Sequence, residues 1–204
     1  YQISAEKIIV VPNGVDTHEI RYTSVSERMR NKERLGLSRE KIGVFMGSWH
    51  GPNLEACQVL FQVADQCPEV KFMLLGSQCE YFKDKKLPEN VALMGLVSEE
   101  TKANVFQTAD FALNPMYSGS GTNLKMFDYM AAGLPIITTE FGTRGIQDKQ
   151  LFHLANTTEE FAQEIHSFQL VNEDGRVEMA RKYVEERFDW RVIAKVLRDR
   201  MIYR

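Results

Sequence analysis

Short apolar runs separated by helical patterns are the feature that most constrains the fold of this chain. Most of the runs are continuously apolar rather than alternating, which is typical of strands that helices cover on both faces. The alternation predicts an α/β fold with a doubly wound parallel sheet. The runs lie at 8–11, 42–47, 70–76, 91–95, 110–115, 135–139 and 151–155.

Helical patterns fill the intervals between these runs. Residues 53–66 carry apolar side chains at helical spacing behind Asn53, a candidate N-cap. Residues 98–109 open with Ser98 and two glutamates, which suit the positive end of a helix dipole. In 123–132 the apolar side chains form one stripe that ends before a Gly-Leu-Pro segment. We therefore predict three helices that pack on the sheet.

The carboxyl end of the chain carries helical patterns throughout. A capping box spans 157–160, and Asp174 and Asp189 each open a further helix. No internal repeat, low-complexity stretch or long linker interrupts the sequence. We therefore expect residues 1–204 to form a single domain in which 156–204 is a helical tail.

Composition excludes several classes of function. The 25 Lys and Arg residues against 28 Asp and Glu residues leave a net charge of −3, which offers no basic field for nucleic acid. No apolar run approaches the length of a membrane span, and no signal peptide is recognisable. Cys57, Cys67 and Cys79 lack Cys-x-x-Cys spacing. We expect reduced thiols in a cytoplasmic protein, with Cys57 a buried thiol rather than a nucleophile.

In a doubly wound sheet, ligands bind beyond the carboxyl ends of the strands. Three segments have such positions: 47–53, Gly76 with Ser77, and 114–135. The last contains a loop rich in Gly and Ser, 118–122, immediately before a helix. Free backbone N–H groups at a helix start form an anion site, and glycines let a ligand approach them closely. The loop therefore predicts a phosphate site.

Two charged residues in the first turns of that helix support the phosphate prediction. Lys125 and Asp128 lie about 60° apart around the helix axis and roughly 5 to 6 Å apart at Cβ. A cation and a carboxylate at this separation suit a phosphate and the ribose hydroxyls beside it. The alternative is that Gly119 and Gly121 only form a turn, and that the charged pair is a solvated ion pair.

The sequence lacks the motifs of several other kinds of nucleotide or metal site. The sequence contains neither a P-loop nor the three-glycine dinucleotide fingerprint. It has no Asp-x-Asp to bridge a diphosphate to a divalent ion, so we expect no metal and no cofactor. Among the histidines, we expect His50 to contact a ligand or stay within its loop rather than act in catalysis. His153 is expected to be a hydrogen-bonded core residue, and His18 and His166 to lie at the surface.

The order of these motifs resembles the C-terminal half of the retaining GT-B glycosyltransferases of family 4, over nearly the whole chain. EKIIVVPNGVDTHEI resembles the strand and loop that enter that half, and VFMGSWHGPN and VKFMLLGS resemble its two glycine-rich strand ends. VALMGLVSEE resembles the stretch that faces the nucleotide base. ADFALNPMYSGSGTNLKMFDYMAAGLPIITT resembles the donor motif, and FDWRVIAKVL resembles the closing helix that crosses back to the other half.

The resemblance implies an activity and a set of site residues. The donor is expected to be a nucleoside diphosphate sugar, and the acceptor a glycan or a lipid-linked molecule bound mostly by an amino-terminal half. Lys125 and Asp128 are expected to act in catalysis, Lys125 on the leaving diphosphate and Asp128 on the ribose. Residues 1–16 are expected to be the entry strand and loop from that other half, against which the last helix packs. The expected donor-binding residues are Gly47, Ser48, Gly76, Ser77, Leu96, Val97, Gly119, Ser120, Gly121, Thr122 and Asn123.

Two departures from the family pattern bear on activity. The two glutamates that usually stand eight positions apart in the donor motif correspond here to Ser120 and Asp128. The segment SWHGPNLE lacks the basic pair that often follows the first glycine-rich strand. The alternatives are another GT-B enzyme, such as a nucleotide-sugar epimerase or a phosphorylase, and a non-catalytic sugar-nucleotide-binding module. For the glycosyltransferase, the full-length protein is expected in the cytoplasm, where peripheral contact with the inner face of the membrane is compatible with a lipid-linked acceptor.

Overall fold

The computed structural model describes Ser4 and residues 7–202, and within them the chain forms a parallel sheet covered by helices on both faces. The strands are β1 (Lys41–Met46), β2 (Val70–Leu75), β3 (Val91–Gly95), β4 (Phe111–Asn114), β5 (Ile136–Thr138) and β6 (His153–Leu154). All neighbouring strands pair in parallel, in the order β3-β2-β1-β4-β5-β6. This confirms the predicted doubly wound α/β fold.

The helices are α1 (Val25–Arg34), α2 (Gly51–Gln66), α3 (Glu99–Thr108), α4 (Leu124–Ala131), α5 (Thr158–Ser167), α6 (Asp174–Arg187) and α7 (Trp190–Ile202). One apolar core lies between the sheet and α3, α4 and α6, where Phe127 and Val184 are fully buried. A second core lies on the opposite face under α2 and α5, around Leu60 and Phe161. Because both faces are covered, the central strands can be continuously apolar. Among the residues that the structure describes, no helix has both the length and the apolar composition needed to cross a membrane.

The predicted strand at 8–11 is not a strand. The chain there forms no ladder, and the nearest pairing among the described residues is a single bridge between Val15 and Asp189. Ile8, Val10 and Val11 are exposed or partly exposed, so this apolar run lacks the neighbouring strand that it needs. The expectation for residues 1–3, 5 and 6 lies outside the described residues.

Helix α1 was not predicted, because its inner face is polar. Its buried positions are Val25, Arg28 and Lys32, so no apolar periodicity marks it. The Arg28 guanidinium donates to the carbonyls of Ala109 and Gly133 at 2.9 Å each. Lys32 forms a buried ion pair with Asp110, with 2.5 Å between Nζ and Oδ2. Tertiary contacts with the residues that follow α3 and α4, rather than an apolar stripe, therefore hold α1 in place.

The predicted N-cap of α2 is also wrong. The helix begins at Gly51, the N-cap is His50, and Asn53 lies inside the first turn. Pro52 at the start of the helix lacks an N–H that would need a cap, which makes the earlier start favourable. The Asn53 side chain is thereby free for contacts outside the helix.

The helical tail is confirmed in its outline. The Thr157 hydroxyl accepts from the Glu160 amide, whereas the Glu160 carboxylate accepts from the amide of Asn156 instead of Thr157, one residue earlier than in a capping box. Asp189 precedes α7 and accepts from the Thr17 hydroxyl at 2.6 Å. The carboxyl end is thus tied back to the segment before α1. Ser98 caps α3 as predicted, accepting from the Thr101 amide.

Candidate functional site

A cleft opens where the carboxyl ends of β1 and β4 meet the start of α4. It has a volume of about 290 Å³. Strand β1 contributes its carboxyl end and the turn into α2, and the segment from β4 to α4 contributes the glycine-rich loop. The lining residues are Met46, Gly47, Ser48, His50, Pro52, Asn53, Met116, Gly119, Ser120, Thr122, Asn123, Leu124, Lys125 and Arg144.

Lys125 is a buried cation that lines this cleft. Its Nζ donates to Asn53 Oδ1 at 2.7 Å and lies 4.1 Å from the centre of the Phe45 ring. The pKa of Lys125 is lowered to about 7, mainly by burial; Cys57 opposes this shift and the nearby Arg144 charge adds to it. No carboxylate is paired with it in the described part of the chain. An anionic ligand would supply the negative charge that this ammonium group lacks.

Lys125 and Asp128 do not form the solvated ion pair of the alternative interpretation. The Lys125 side chain points to β1 and α2, whereas the charges that act on Asp128 are Lys102 and Glu99 of α3. Burial raises the pKa of Asp128 to about 6, and Lys102 lowers it in part. Asp128 is half-buried and does not line the cleft.

The glycine-rich loop leaves backbone donors free beside Lys125. Gly119 and Gly121 have φ values of +115° and +70°, a backbone conformation that residues other than glycine rarely adopt. The amides of residues 119–122 have no acceptor within the described chain. The Ser118 hydroxyl donates to Glu55 at 2.5 Å, which fastens the loop to α2. The loop is therefore both a turn and a set of unpaired donors at the start of α4.

Asn123 takes a different position from the other loop residues. It is buried, and its Nδ2 donates to Asn114 Oδ1 at 2.9 Å. Asn114 in turn donates to the Thr138 hydroxyl at 3.0 Å. The Asn123 side chain thus joins α4 to the ends of β4 and β5.

The glycines that end β1 and β2 are packed against each other. Gly76 has a φ of +116°, and a Cβ on it would lie 1.9 Å from the Gly47 carbonyl oxygen. The Ser77 hydroxyl accepts from the Trp49 amide at 2.8 Å, and Ser48 accepts from Asn53 at 3.0 Å through its carbonyl. These hydrogen bonds hold the segments that follow β1 and β2 in place. Because both segments begin with glycine, backbone rather than side-chain atoms face the cleft there.

A second recess, with a volume of about 560 Å³, lies beside these strand ends. Gly76, Ser77 and Leu96 line it together with Trp49 and Glu80. Leu96 is 84% exposed, whereas Val97 is half-buried against the core under α3. The structure therefore brings most of the expected donor-binding residues to two neighbouring openings, but Gly121, Val97 and Asp128 line neither.

No sequence motif indicated Arg144. This residue lies in the segment after β5, and its Nε donates to the Gly121 carbonyl at 2.7 Å. It lines the cleft with Lys125. The rule that ligands bind beyond the carboxyl ends of parallel strands applies to the run at 135–139 as well, and would have pointed to this residue. For Asn53, the sequence pattern indicated only a helix cap, whereas the structure places its side chain on Lys125.

The remaining candidate groups lie elsewhere or are engaged. The Cys57 thiol is buried, as predicted, and burial raises its pKa to about 12. His153 is hydrogen-bonded to Glu164 through Nδ1 at 3.1 Å, as predicted, and its Nε2 lies 3.2 Å from the Glu173 carboxylate without a hydrogen bond. His18 and His166 are exposed, as predicted, and His50 lines the cleft.

Among the described residues, one cluster could hold a metal ion, and it lies away from the cleft. Ligand atoms of Cys67, Glu69 and His166 lie within 4.8 Å of one another. They stand just before the amino end of β2 and at the end of α5, at the opposite end of the sheet. Burial and Glu69 raise the pKa of the Cys67 thiol to about 11, which keeps it protonated at neutral pH.

The family model described as glycosyl transferases group 1 matches residues 40–169. The chain belongs to this family. It is 24% identical, over 200 residues, to the phosphatidyl-myo-inositol mannosyltransferase of Mycobacterium leprae (strain TN). That alignment covers 91% of this chain and 51% of the mannosyltransferase.

Solved structures share the fold of this group 1 chain at low identity. Anabaena HepE, determined in complex with UDP and glucose, superposes with a TM-score of 0.75 at 16% identity over 98% of this chain and 58% of HepE. Sucrose-phosphate synthase from Thermosynechococcus elongatus gives a TM-score of 0.74 at 19% identity over 96% of this chain and 51% of that enzyme. The fold is therefore that of one half of a GT-B glycosyltransferase. The chain spans about half the length of these relatives.

Proposed function

We propose that this chain is the donor-binding half of a retaining glycosyltransferase that uses a nucleoside diphosphate sugar. The observation that carries the proposal is the buried ammonium of Lys125, which has no carboxylate partner in the described part of the chain, beside amides of residues 119–122 that have no acceptor there. A diphosphate is the leaving group of such a donor, and this arrangement matches its charge and its oxygen acceptors. The UDP and glucose bound by HepE, a structure of the same fold, support this choice.

The cleft residues would act on the leaving group. As the bond between the sugar and the diphosphate breaks, negative charge grows on the leaving phosphate oxygen. Lys125 and the loop amides stabilise that charge with donors that are already in position, so little reorganisation is needed. Asn53 holds the Lys125 ammonium at 2.7 Å and so sets where the charge lies. Asp128 lines neither opening, but its half-buried carboxylate stays partly accessible, and we propose that it accepts hydrogen bonds from the ribose hydroxyls.

The acceptor and the setting of the reaction are part of the same proposal. We propose a glycan or lipid-linked acceptor, bound mostly by an amino-terminal half, and transfer at the cytoplasmic side of a membrane. The mannosyltransferase of Mycobacterium leprae, whose name includes phosphatidyl-myo-inositol, favours a lipid-linked acceptor. We propose that neither a metal ion nor another cofactor takes part.

A binding screen tests the donor proposal. UDP, GDP, ADP and their sugars would be compared by thermal shift and calorimetry, since a ligand that binds the folded state raises its stability. We expect one nucleoside diphosphate series to bind, and Lys125→Met to abolish most of that binding. The matched control is Lys86→Met, because Lys86 is exposed. If no nucleotide binds the wild-type chain, or if both variants bind like the wild type, the proposal is wrong.

A further inference from the structure

The charges along the cleft are unbalanced. Among the described residues that line it, Lys125 and Arg144 carry positive charge and no residue is acidic. The two charges repel each other, and the charge of Arg144 lowers the pKa of Lys125. Two like charges without a counter-charge in one cleft cost free energy, and a ligand with two negative charges would remove that cost.

Arg144 is held so that part of its guanidinium stays free. Its Nε donates to the Gly121 carbonyl at 2.7 Å, and its guanidinium carbon lies 4.5 Å from the centre of the Phe141 ring. Nη1 lies 3.4 Å from the Phe141 carbonyl oxygen, whereas Nη2 has no acceptor within the described chain. A methyl group on Gly119 would lie 3.2 Å from Nη2. The free end therefore lies directly beside the loop.

We propose that Arg144 is a second cation for the donor diphosphate, and that it binds one phosphate while its Nε fixes the loop through Gly121. The inference rests on the proposed function, because it assigns a residue to the same site. Each phosphate of a nucleoside diphosphate sugar carries one negative charge, so Lys125 and Arg144 match the pair. Arg144, from the segment after β5, thus supplies the charge that SWHGPNLE lacks after β1.

The test compares phosphate-bearing ligands with one that lacks phosphate. Arg144→Gln, Arg144→Lys and the wild type would be titrated with inorganic pyrophosphate, and with UDP, GDP or ADP, whichever binds most tightly, and its nucleoside. We expect Arg144→Gln to weaken the nucleoside diphosphate and pyrophosphate about tenfold and the nucleoside less than twofold. Arg144→Lys should recover part of the affinity. The matched control is Arg30→Gln on the exposed face of α1.

Salt dependence separates a phosphate contact from a role in loop structure alone. Loss of a phosphate-binding cation makes affinity for the nucleoside diphosphate less dependent on salt, whereas loss of a purely structural contact does not. The Arg144 charge also lowers the pKa of Lys125, so the midpoint of pH-dependent binding should rise in Arg144→Gln but not in Arg144→Lys; this reports that the two cations are close and not that either contacts phosphate. A weaker affinity of Arg144→Gln with unchanged salt dependence would overturn the inference.

The two proposals fail in different ways. If the wild type binds a nucleoside diphosphate and Arg144→Gln binds it equally well, only the role of Arg144 is wrong. If the wild type binds neither pyrophosphate nor any nucleoside diphosphate, the proposed function fails as well.

Discussion

At the scale of the residue, Lys125 makes a pH prediction. Its pKa of about 7 in the free protein means that the ammonium is partly lost above neutral pH, and a diphosphate must restore the proton to bind. Affinity for a nucleoside diphosphate sugar should therefore fall as pH rises from 7 to 9, by up to about tenfold per pH unit. Calorimetry at several pH values measures this. Lys125→Met should remove the dependence, and His50→Gln, which alters another titratable residue of the cleft, should keep it.

The same shift predicts how Lys125 affects stability. In the unfolded chain its pKa returns to 10.5, so between about 7 and 10.5 the unfolded state binds more protons than the folded state. The contribution of this group to the free energy of unfolding therefore rises with pH across that window. Urea denaturation at pH 7 and 10 would measure the free energy of unfolding of the wild type and of Lys125→Met. We expect the value of the wild type to rise relative to that of Lys125→Met, so that an advantage of the variant at pH 7 narrows at pH 10. A constant difference would contradict the pKa shift.

Asp128 makes the opposite prediction in the acid range. Burial raises its pKa from 3.8 to about 6, so its contribution to stability is present below 3.8 and is lost as pH rises through 6. Asp128→Asn should therefore be more stable than the wild type at pH 7, with no such advantage at pH 4. If Asp128 also holds the ribose, the variant should weaken nucleoside and nucleoside diphosphate alike, by about 1 to 3 kcal/mol. Equal stability of the two proteins at pH 7 would contradict the pKa shift of Asp128. Unchanged affinity for the nucleoside would contradict its role in ribose binding.

At the scale of the element, the packing of β1 against β2 depends on glycine. A Cβ on Gly76 would lie 1.9 Å from the Gly47 carbonyl, and the φ of +116° is unfavourable for alanine. Gly76→Ala should lower the free energy of unfolding by about 2 kcal/mol or more. Gly51→Ala is the matched control, because Gly51 begins α2 with no atom within 4 Å of its Cβ position. Urea denaturation that gives both variants the same stability would show that the strand ends move apart at little cost.

At the scale of the whole molecule, the proposed cleft predicts binding without metal. Lys125, Arg144 and the amides before α4 already supply positive charge and donors. EDTA should leave the affinity for nucleoside diphosphate within about twofold. Loss of tenfold or more, restored by manganese or magnesium, would mean that distant carboxylates build a metal site. The cluster at Cys67 offers an internal control, since zinc added there should not alter nucleotide affinity.

The proposal also predicts that this 204-residue chain binds donor but transfers no sugar by itself. The chain spans about half the length of its relatives, and the resemblance assigns the acceptor to the other half. Without that half, water is not excluded and the reactants are not oriented, an effect of up to roughly 7 to 11 kcal/mol on the barrier. Labelled donor and a competent acceptor would compare this chain with the full-length protein. Transfer at similar rates would contradict the prediction.

Local pattern was sufficient for most of the fold and for the choice of a candidate site. The strand runs, the caps at Ser98 and Thr157, and the glycine-rich loop before α4 depend on residues close in sequence, and these were predictable. Helix α1 was not, because Arg28 and Lys32 find their acceptors only in the folded chain. The strand predicted at 8–11 was wrong because a strand needs a neighbouring strand to pair with, and local sequence does not show whether one is present.

The site divides in the same way. By itself, the sequence determined that a glycine-rich loop opens α4 and that Lys125 lies within the first turn, and it predicted that this loop binds phosphate. Only the tertiary structure decided that Lys125 donates to Asn53, which is 72 positions away in sequence. The same is true of the bond from Arg144 to the Gly121 carbonyl, which joins residues 23 positions apart. Helical periodicity constrains contacts three or four residues apart, whereas these contacts depend on how strands and loops converge at one edge of the sheet. The charge balance of the cleft is therefore a property of the folded molecule.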